Sequence, residues 1–411
     1  MNSTQFENFT IEELTDEIAM GPFGSNIKTD CFVESGVPVL NGSNLTGFVM
    51  NDCKLRYVTE EKAQSLGNAL ASRGDIIVTH RGTLGQIVYI PNNSQFDHYV
   101  ISQSQFRLRC NKKVLPQYLV YYFHTPLGQW KILSNKTQTG VPALGRPTST
   151  YKKIEVSVPP INIQSKVVNI ISTIEELIEL NNRTNDYLAE MLLALQKRVA
   201  ETEELSESRA DEVFNIHIGK TPPRKESEWF SFDHVNNVIW MSIKDMGGGD
   251  VYLIDSSEYL TPEAVDKHNI KRCRPGSVLL SFKLTVGRVG IVANEMVTNE
   301  AIACFSSDDP RKLAYLYPLL KSYDYASLGS TSSIATAVNS KMVKAMSIKM
   351  PSSPALDSFY EKAKPIYELL LSNTREIAAL AELRDALLPK LMSGEIDVSK
   401  IDLTQLNNHL A

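Results

Sequence analysis

Cysteine is scarce in this chain: the 411 residues hold five, Cys31, Cys53, Cys110, Cys273 and Cys304. The number is odd and no two form a CxxC pair, so their spacing supports neither a disulfide framework nor a zinc site. The seven histidines show no ligand spacing, and no metal is expected. No uncharged apolar run reaches about eighteen residues, so no membrane-spanning helix is expected. The opening Met1-Asn-Ser-Thr-Gln-Phe-Glu lacks the basic and apolar regions of a secretory signal. A reducing, cytoplasmic setting is expected, in which a sequon such as Asn44-Leu-Thr46 is chance.

Catalytic signatures are absent as well. Gly219-Lys220-Thr221 ends like a phosphate-binding loop, but the first glycine of such a loop would fall at Phe214. Thr221-Pro-Pro-Arg224 and Val158-Pro-Pro-Ile161 resemble the (Asp/Asn)-Pro-Pro-(Tyr/Phe) of amino-methyltransferases. They lack the polar residue that would hold the amino group and the aromatic that would stack on a flipped base. Gly247-Gly-Gly249 is a turn rather than a dinucleotide fingerprint, and no Ser-His-Asp or Cys-His arrangement is recognisable. The chain is read as non-catalytic.

What the chain does contain is a repeat of itself. Arg73-Gly-Asp-Ile-Ile-Val-Thr-His-Arg-Gly-Thr-Leu-Gly-Gln-Ile87 returns about two hundred residues later as Pro275-Gly-Ser-Val-Leu-Leu-Ser-Phe-Lys-Leu-Thr-Val-Gly-Arg-Val289. Gly74/Gly276, Thr83/Thr285 and Gly85/Gly287 match, and apolar positions match apolar ones. Ala189-Glu-Met-Leu-Leu-Ala-Leu195 likewise returns as Ala381-Glu-Leu-Arg-Asp-Ala-Leu387. A duplicated unit of this kind can fold about a pseudo-two-fold axis, as a protein engaging two separated copies of something requires.

The net charge of −5 hides an uneven distribution. Residues 21–150 carry 13 Lys/Arg against 7 Asp/Glu, and residues 213–350 carry 16 against 14. The connecting segments are acidic, with 7 against 12 over 151–212. Local rather than total charge decides whether a face can rest on phosphates, so the two globular segments qualify.

Four blocks are expected: residues 1–156, 157–205, 206–350 and 351–411. The first and third mix short strand-like runs (Asp75–Tyr89 and Tyr99–Arg109, then Val278–Ala293 and Asn299–Phe305) with turn signals, giving an α/β or α+β domain each. The second and fourth carry apolar positions every seven residues: Val167, Ile174, Asn181, Leu188 and Leu195, then Phe359, Ile366, Asn373, Leu380 and Leu387. That is a helix-pairing seam, drifting in the second copy toward Ala363, Leu370 and Ile377. Two long antiparallel coiled-coil helices are expected, with Asn181 and Asn373 fixing register near their middle. Val167 to Leu195 spans about 42 Å at ~1.5 Å per residue. That equals about twelve base pairs of B-DNA, so the helices suit a ruler between two basic domains.

The combined pattern resembles the specificity subunit of type I restriction–modification systems. Its bearers are Gly21-Pro-Phe-Gly-Ser25, Val37-Pro-Val-Leu-Asn-Gly-Ser-Asn-Leu45, the Arg73-Gly-Asp…Gly85 segment, Val158-Pro-Pro-Ile-Asn-Ile-Gln164, and Leu387-Leu-Pro-Lys-Leu-Met-Ser-Gly-Glu-Ile396. The second copy departs at its helix entry, where Met350-Pro-Ser-Ser-Pro354 stands. The resemblance implies two target-recognition domains, each reading one half of a bipartite, asymmetric site on double-stranded DNA. It implies helices that dock two modification (methyltransferase) subunits, with restriction (translocase–nuclease) subunits joining them. S-adenosylmethionine, ATP and Mg would belong to those partners, and no cofactor to this chain. A coiled-coil scaffold, a DNA-binding protein outside a restriction complex, and a stand-alone modification enzyme or nuclease are the competing classes.

Major-groove edges are read by Arg/Lys and Asn/Gln contacts, so polar residues at repeated loop positions are the DNA-binding candidates. The first domain offers Ser25, Asn26, Lys28, Asn44, His80, Arg81, Thr83 and the Lys136-Thr-Gln138-Thr-Gly140 loop. The second offers Thr221, Arg224, Lys225, Lys244, Lys283, Thr285, Arg288 and the Ser330–Ser333 stretch with Ser332. Gly74, Gly85, Gly276 and Gly287 are read as turn glycines.

Overall fold

The uninterrupted apolar run Ile76-Ile-Val78 is buried on both sides because its strand separates two cores. Successive side chains of a strand point to opposite faces. Ile76 and Val78 face one cluster, with Ile87, Phe106 and Leu108, and Ile77 faces another, with Leu40, Val88 and Tyr99. Val278-Leu-Leu280 does the same, with Val278 and Leu280 on one side and Leu279 on the other. Around these two strands a computed structural model builds two units, Met1–Glu176 with Ala381–Ala411, and Leu177–Leu380. It describes residues 6–22, 24–134, 136, 142–328 and 338–401, with Ser25 described by its backbone alone.

In the first unit a four-stranded antiparallel sheet runs Thr15–Met20, Gln105–Cys110, Ile76–Thr79, Ile87–Tyr89. A five-stranded sheet runs Phe32–Val33, Arg56–Val58, Val37–Val39, His98–Val100, Leu70–Ser72. Its one parallel pairing is Val39 with Val100. Glu7–Thr10 pairs antiparallel with Glu155–Val158, closing the domain where the first long helix begins. The aromatic patch Tyr118–Phe123 lies on the helix Pro116–His124 and is buried throughout.

The second unit repeats this plan. Asn215–Ile218, Ile302–Ser306, Val278–Ser281 and Val289–Val292 follow one another as in the first sheet, with Tyr252–Leu253 added in parallel at the edge. Phe230–Ser231, Tyr259–Leu260, Val238–Met241 and Val297–Thr298 form the second sheet, whose last pairing is parallel. Leu205–Arg209 pairs with Ser347–Pro351 as the closing ribbon. The strands are mostly antiparallel and the helices are kept apart from them, so each unit is α+β. Matched glycines take matched conformations: Gly74 and Gly276 both have φ of 84°, and Gly85 and Gly287 have 87° and 91°. Only glycine adopts this region without strain.

Two long helices are shared by the units, Ile161–Thr202 and Ser353–Ser393. Pro365 and Pro389 lie inside the second, each depriving one carbonyl of its helical donor. In the first unit Val167 and Ile171 pack with Leu388, Leu391 and Met392, and Arg384 donates to Glu175 at 2.7 Å. In the second, Leu192, with Leu188 and Leu195 against it, shares a core with Phe359, Ala363, Ile366 and Leu370. Advance along one helix meets retreat along the other in each unit, so the pairing is antiparallel. Ile174 is also buried, Leu387 packs on the first unit's core, and Leu380 is half-buried.

Of the two seam asparagines expected to fix register, Asn373 is paired and Asn181 is not. Asn373 donates to Asn185 Oδ1 at 3.0 Å, one turn past Asn181, and Asn185 donates to Thr374 at 3.5 Å. Asn181 Nδ2 is buried without a hydrogen-bond partner.

Candidate nucleic-acid interface

Three loops converge at one end of the first domain's four-stranded sheet. The turn after Ile76–Thr79 carries His80, Arg81 and Thr83. His80 N–H donates to Ser104 O, Gly82 N–H to Pro142 O, and Leu144 N–H to His80 O, all at 2.9 Å. Bridges Arg81 to Ala143 and Lys136 to Leu144 bring Arg81, Thr83 and Lys136 onto neighbouring strands of chain. Gly24 packs on Gln103, where an added Cβ would meet the amide oxygen at 2.0 Å, and Gly24 and Ile27 line one pocket with Ser102 and Gln103. Asn26, Lys28, Arg81, Thr83 and Lys136 are exposed. Burial holds the His80 imidazole below its ordinary value, so it is neutral at pH 7 and presents no fixed charge.

Asn44 does not join them. It is fully buried, donating to Asn51 O at 3.1 Å and Cys53 O at 2.8 Å and accepting from Asn41 N–H at 3.0 Å. Its amide is consumed in holding its own loop, as buried polar groups require. The Ser25 side chain and Gln138 lie outside the described residues, as do Ser330 and Ser332.

The second domain uses the same turn. Lys283 and Thr285 are exposed, and Phe282 N–H donates to Ala301 O at 2.9 Å. Arg288 donates through Nη1 to Ile243 O at 2.5 Å, which sets it beside exposed Lys244. Arg224 stacks over Phe230 and Trp240 at 4.3 and 4.6 Å and pairs with Glu258 at 2.6 Å. Thr221 is bonded to Glu300, and Lys225 is exposed. Arg288 and Thr221 are therefore engaged within the domain, whereas Lys225, Lys244, Lys283 and Thr285 face outward.

A family model described as the type I restriction modification DNA specificity domain matches residues 5–190 and again residues 202–376. The chain belongs to this family. It is a DNA-specificity subunit of a type I restriction–modification system, and the two matches fit two target-recognition domains. Its relatives include the type I restriction enzyme MjaIX specificity subunit of Methanocaldococcus jannaschii, 23% identical over 84% of this chain and 83% of that one. The type I restriction enzyme HindI specificity subunit of Haemophilus influenzae is 22% identical over 85% and 93%. A crystal structure of the type I restriction–modification S subunit from M. genitalium shares the fold, with a TM-score of 0.54 at 16% identity over 95% of this chain and 97% of that chain.

Sequence reasoning missed two features of this specificity subunit. Leu284, matched to Gly82 of the first domain, has a positive φ of 59° and is 99% exposed at the tip of its turn. A turn that needs a left-handed residue but holds leucine was the available signal. The second is a cluster of His217, Cys273 and Cys304 in the second domain, whose ligand atoms lie within 4.8 Å of one another. These residues are far apart in sequence, so no spacing rule could reveal them.

Proposed function

We propose that the loop surface of each domain reads one half of a bipartite, asymmetric sequence on double-stranded DNA. The observation that carries this is one turn built twice on one sheet plan but dressed differently. His80-Arg81-Gly82-Thr83 stands in the first domain and Phe282-Lys283-Leu284-Thr285 in the second. Identical frameworks with different side chains read different bases, because base edges are distinguished by donor and acceptor pattern. Lys225, Lys244 and Lys136 supply phosphate contacts that position each domain. Leu284, exposed and apolar, suits contact with a thymine methyl or an opened base step.

The chain itself carries no catalytic role in this reading. Two modification (methyltransferase) subunits dock on the long helices, bringing S-adenosylmethionine, and restriction subunits join with ATP and Mg, in the cytoplasm. Support for docking comes from Leu180, Tyr187 and Met191, spaced to share one face of the first helix and 58%, 62% and 52% exposed. The test is methylation mapping of DNA from cells expressing the modification subunit with and without this chain. A single two-part motif dependent on the chain is expected. Methylation unchanged by its removal overturns the reading.

A further inference from the structure

The equivalence of the two domains extends to a position where their chemistry diverges. Gly21 N–H donates to Gln105 O, and Gly219 N–H to Ile302 O. Gly74 N–H donates to Ile90 O, and Gly276 N–H to Val292 O. These matches align Arg107 with Cys304, Ala19 with His217, Ala71 with Cys273, and Asp75 with Ser277. In the first domain this place between the sheets holds a buried cation. Arg107, 4% exposed, donates to Glu17 at 2.6 and 3.0 Å and to Asn68 O at 2.9 Å, with buried Asp75 at 3.5 Å. In the second domain the guanidinium and its carboxylates are gone, and sulfur and imidazole stand there.

The remaining side chains converge on this place. His217 and Cys304 are direct cross-strand partners, so their side chains share a face. Cys273 arrives from the loop bridged to Met296, its Sγ 3.5 Å from His217 Nε2. Both cysteines are buried, at 1% and 0% exposure, in a cluster with Met241, Met246 and Met296. The hydroxyls of Ser277 and Thr298 are fully buried and lie against the thiols of Cys304 and Cys273, with no nitrogen or oxygen partner within hydrogen-bond distance. Two thiols, an imidazole and two buried hydroxyls converging in an apolar interior form a soft donor set of the kind that holds a divalent cation.

We propose that His217, Cys273 and Cys304 bind a soft divalent cation, Zn2+, as a structural clamp within the second target-recognition domain. Zinc–ligand bonds of about 2.0 Å to nitrogen and 2.3 Å to sulfur in a tetrahedron set N···S near 3.5 Å and S···S near 3.8 Å. The observed N···S is already 3.5 Å, and the widest pair, within 4.8 Å, needs to close by about 1 Å at most. Two thiolates and a neutral imidazole cancel the charge of the ion, so burial costs less than for an unpaired cation. The fourth position falls to a hydroxyl or to water. A cavity of about 340 Å3 lined by His217, Lys271, Arg272, Arg274, Ser277 and Ser306 meets the cluster at His217 and Ser277. Arg272 and Arg274 in its wall are already paired with Glu295 and Asp308. The ion would join the edge strand Asn215–Ile218, the neighbouring strand Ile302–Ser306 and the Cys273 loop, as Arg107 joins its own strand to Glu17 on the edge strand and to Asn68 O.

The test uses the full-length chain, reduced, stripped of metal with chelator and titrated with Co2+, followed by competition with Zn2+. The expected result is one equivalent of Co2+ with a thiolate charge-transfer band and the visible bands of a tetrahedral ion, both erased by Zn2+. Cys304→Ser should abolish the charge-transfer band, while Cys53→Ser, in the first domain, should leave it unchanged. Should Cys304→Ser not fold, His217→Gln keeps both thiols and should weaken binding by at least the roughly tenfold typical of a lost supporting contact. No stoichiometric cobalt, a spectrum indifferent to both variants, or a Cys273–Cys304 disulfide in the freshly isolated chain would overturn the proposal.

Discussion

Replacing Gln164 by leucine should loosen the entry of the first long helix by about 3 kcal/mol, taking about 1 kcal/mol for each hydrogen bond lost. Gln164 is fully buried, and its amide makes three bonds at once. Oε1 accepts from Leu115 N–H at 2.8 Å, and Nε2 donates to Lys113 O at 2.9 Å and to Pro159 O at 2.8 Å. Leucine fits the space but leaves one donor and two acceptors unpaired, each costing about 1–3 kcal/mol when no water reaches it. The lower end of that range applies where the loop can relax. At about 2–4 °C per kcal/mol for a domain of this size, the first unit should melt about 6–12 °C earlier. Amide exchange at Leu115 reads the cause directly and should quicken about a hundredfold for a loss near 3 kcal/mol. The second domain supplies the contrast. Leu356 stands 192 residues after Gln164, buried in the core, and the helix Pro310–Lys321 is capped by Asp309 accepting from Arg311 N–H. The helix Pro116–His124 has no side-chain cap of its own, so Gln164 serves in its place. A destabilisation below about 1 kcal/mol with Leu115 still protected would refute this account.

Other perturbations separate the remaining roles. Asn373→Leu should cost about 1–2 kcal/mol by stranding Asn185, whereas Asn181→Leu removes an unpaired buried amide and should cost nothing; denaturant titration of both variants decides, and equal losses would contradict the pairing. His124 is held below its ordinary value by burial. A base depressed on folding keeps its full stability above the unfolded value near 6.5 and loses it as pH falls from there toward the folded value. Melting temperature should therefore drop between pH 7.5 and 5, and His124→Gln should flatten that slope. Arg81→Ala should cost about 1–3 kcal/mol on DNA altered in neither half yet relax specificity only in one half-site. Lys283→Ala should do the same for the other half; both variants affecting the same half would be incompatible with one reader per domain.

The strands were largely legible, because their signal is local. Ile76–Thr79 and Val278–Ser281 lie inside the expected runs, and the glycines at 74, 85, 276 and 287 take the left-handed turns that only their lack of a side chain allows. The heptad spacing announced two long helices, and Val167, Ile174, Phe359 and Ile366 are buried along them. The partner of each seam residue was not legible. Asn181 and Asn373 share a heptad position, yet the pairing joins Asn373 to Asn185. Asn44 sat among polar loop residues and turned inward, because three backbone groups needed it.

By itself, the sequence determined a duplicated unit, its glycine-hinged turns, its long helices and the family they announce. Those features rest on period and steric exclusion between near neighbours, which a linear pattern records. Only the tertiary structure decided which polar groups are spent inside and which face outward. It alone gathered His217, Cys273 and Cys304 onto one side of a sheet, and set Arg107 with Glu17 and Asp75 in the matching place. Contacts across ninety residues depend on strand order and register, and neither is written in the spacing of the residues that meet.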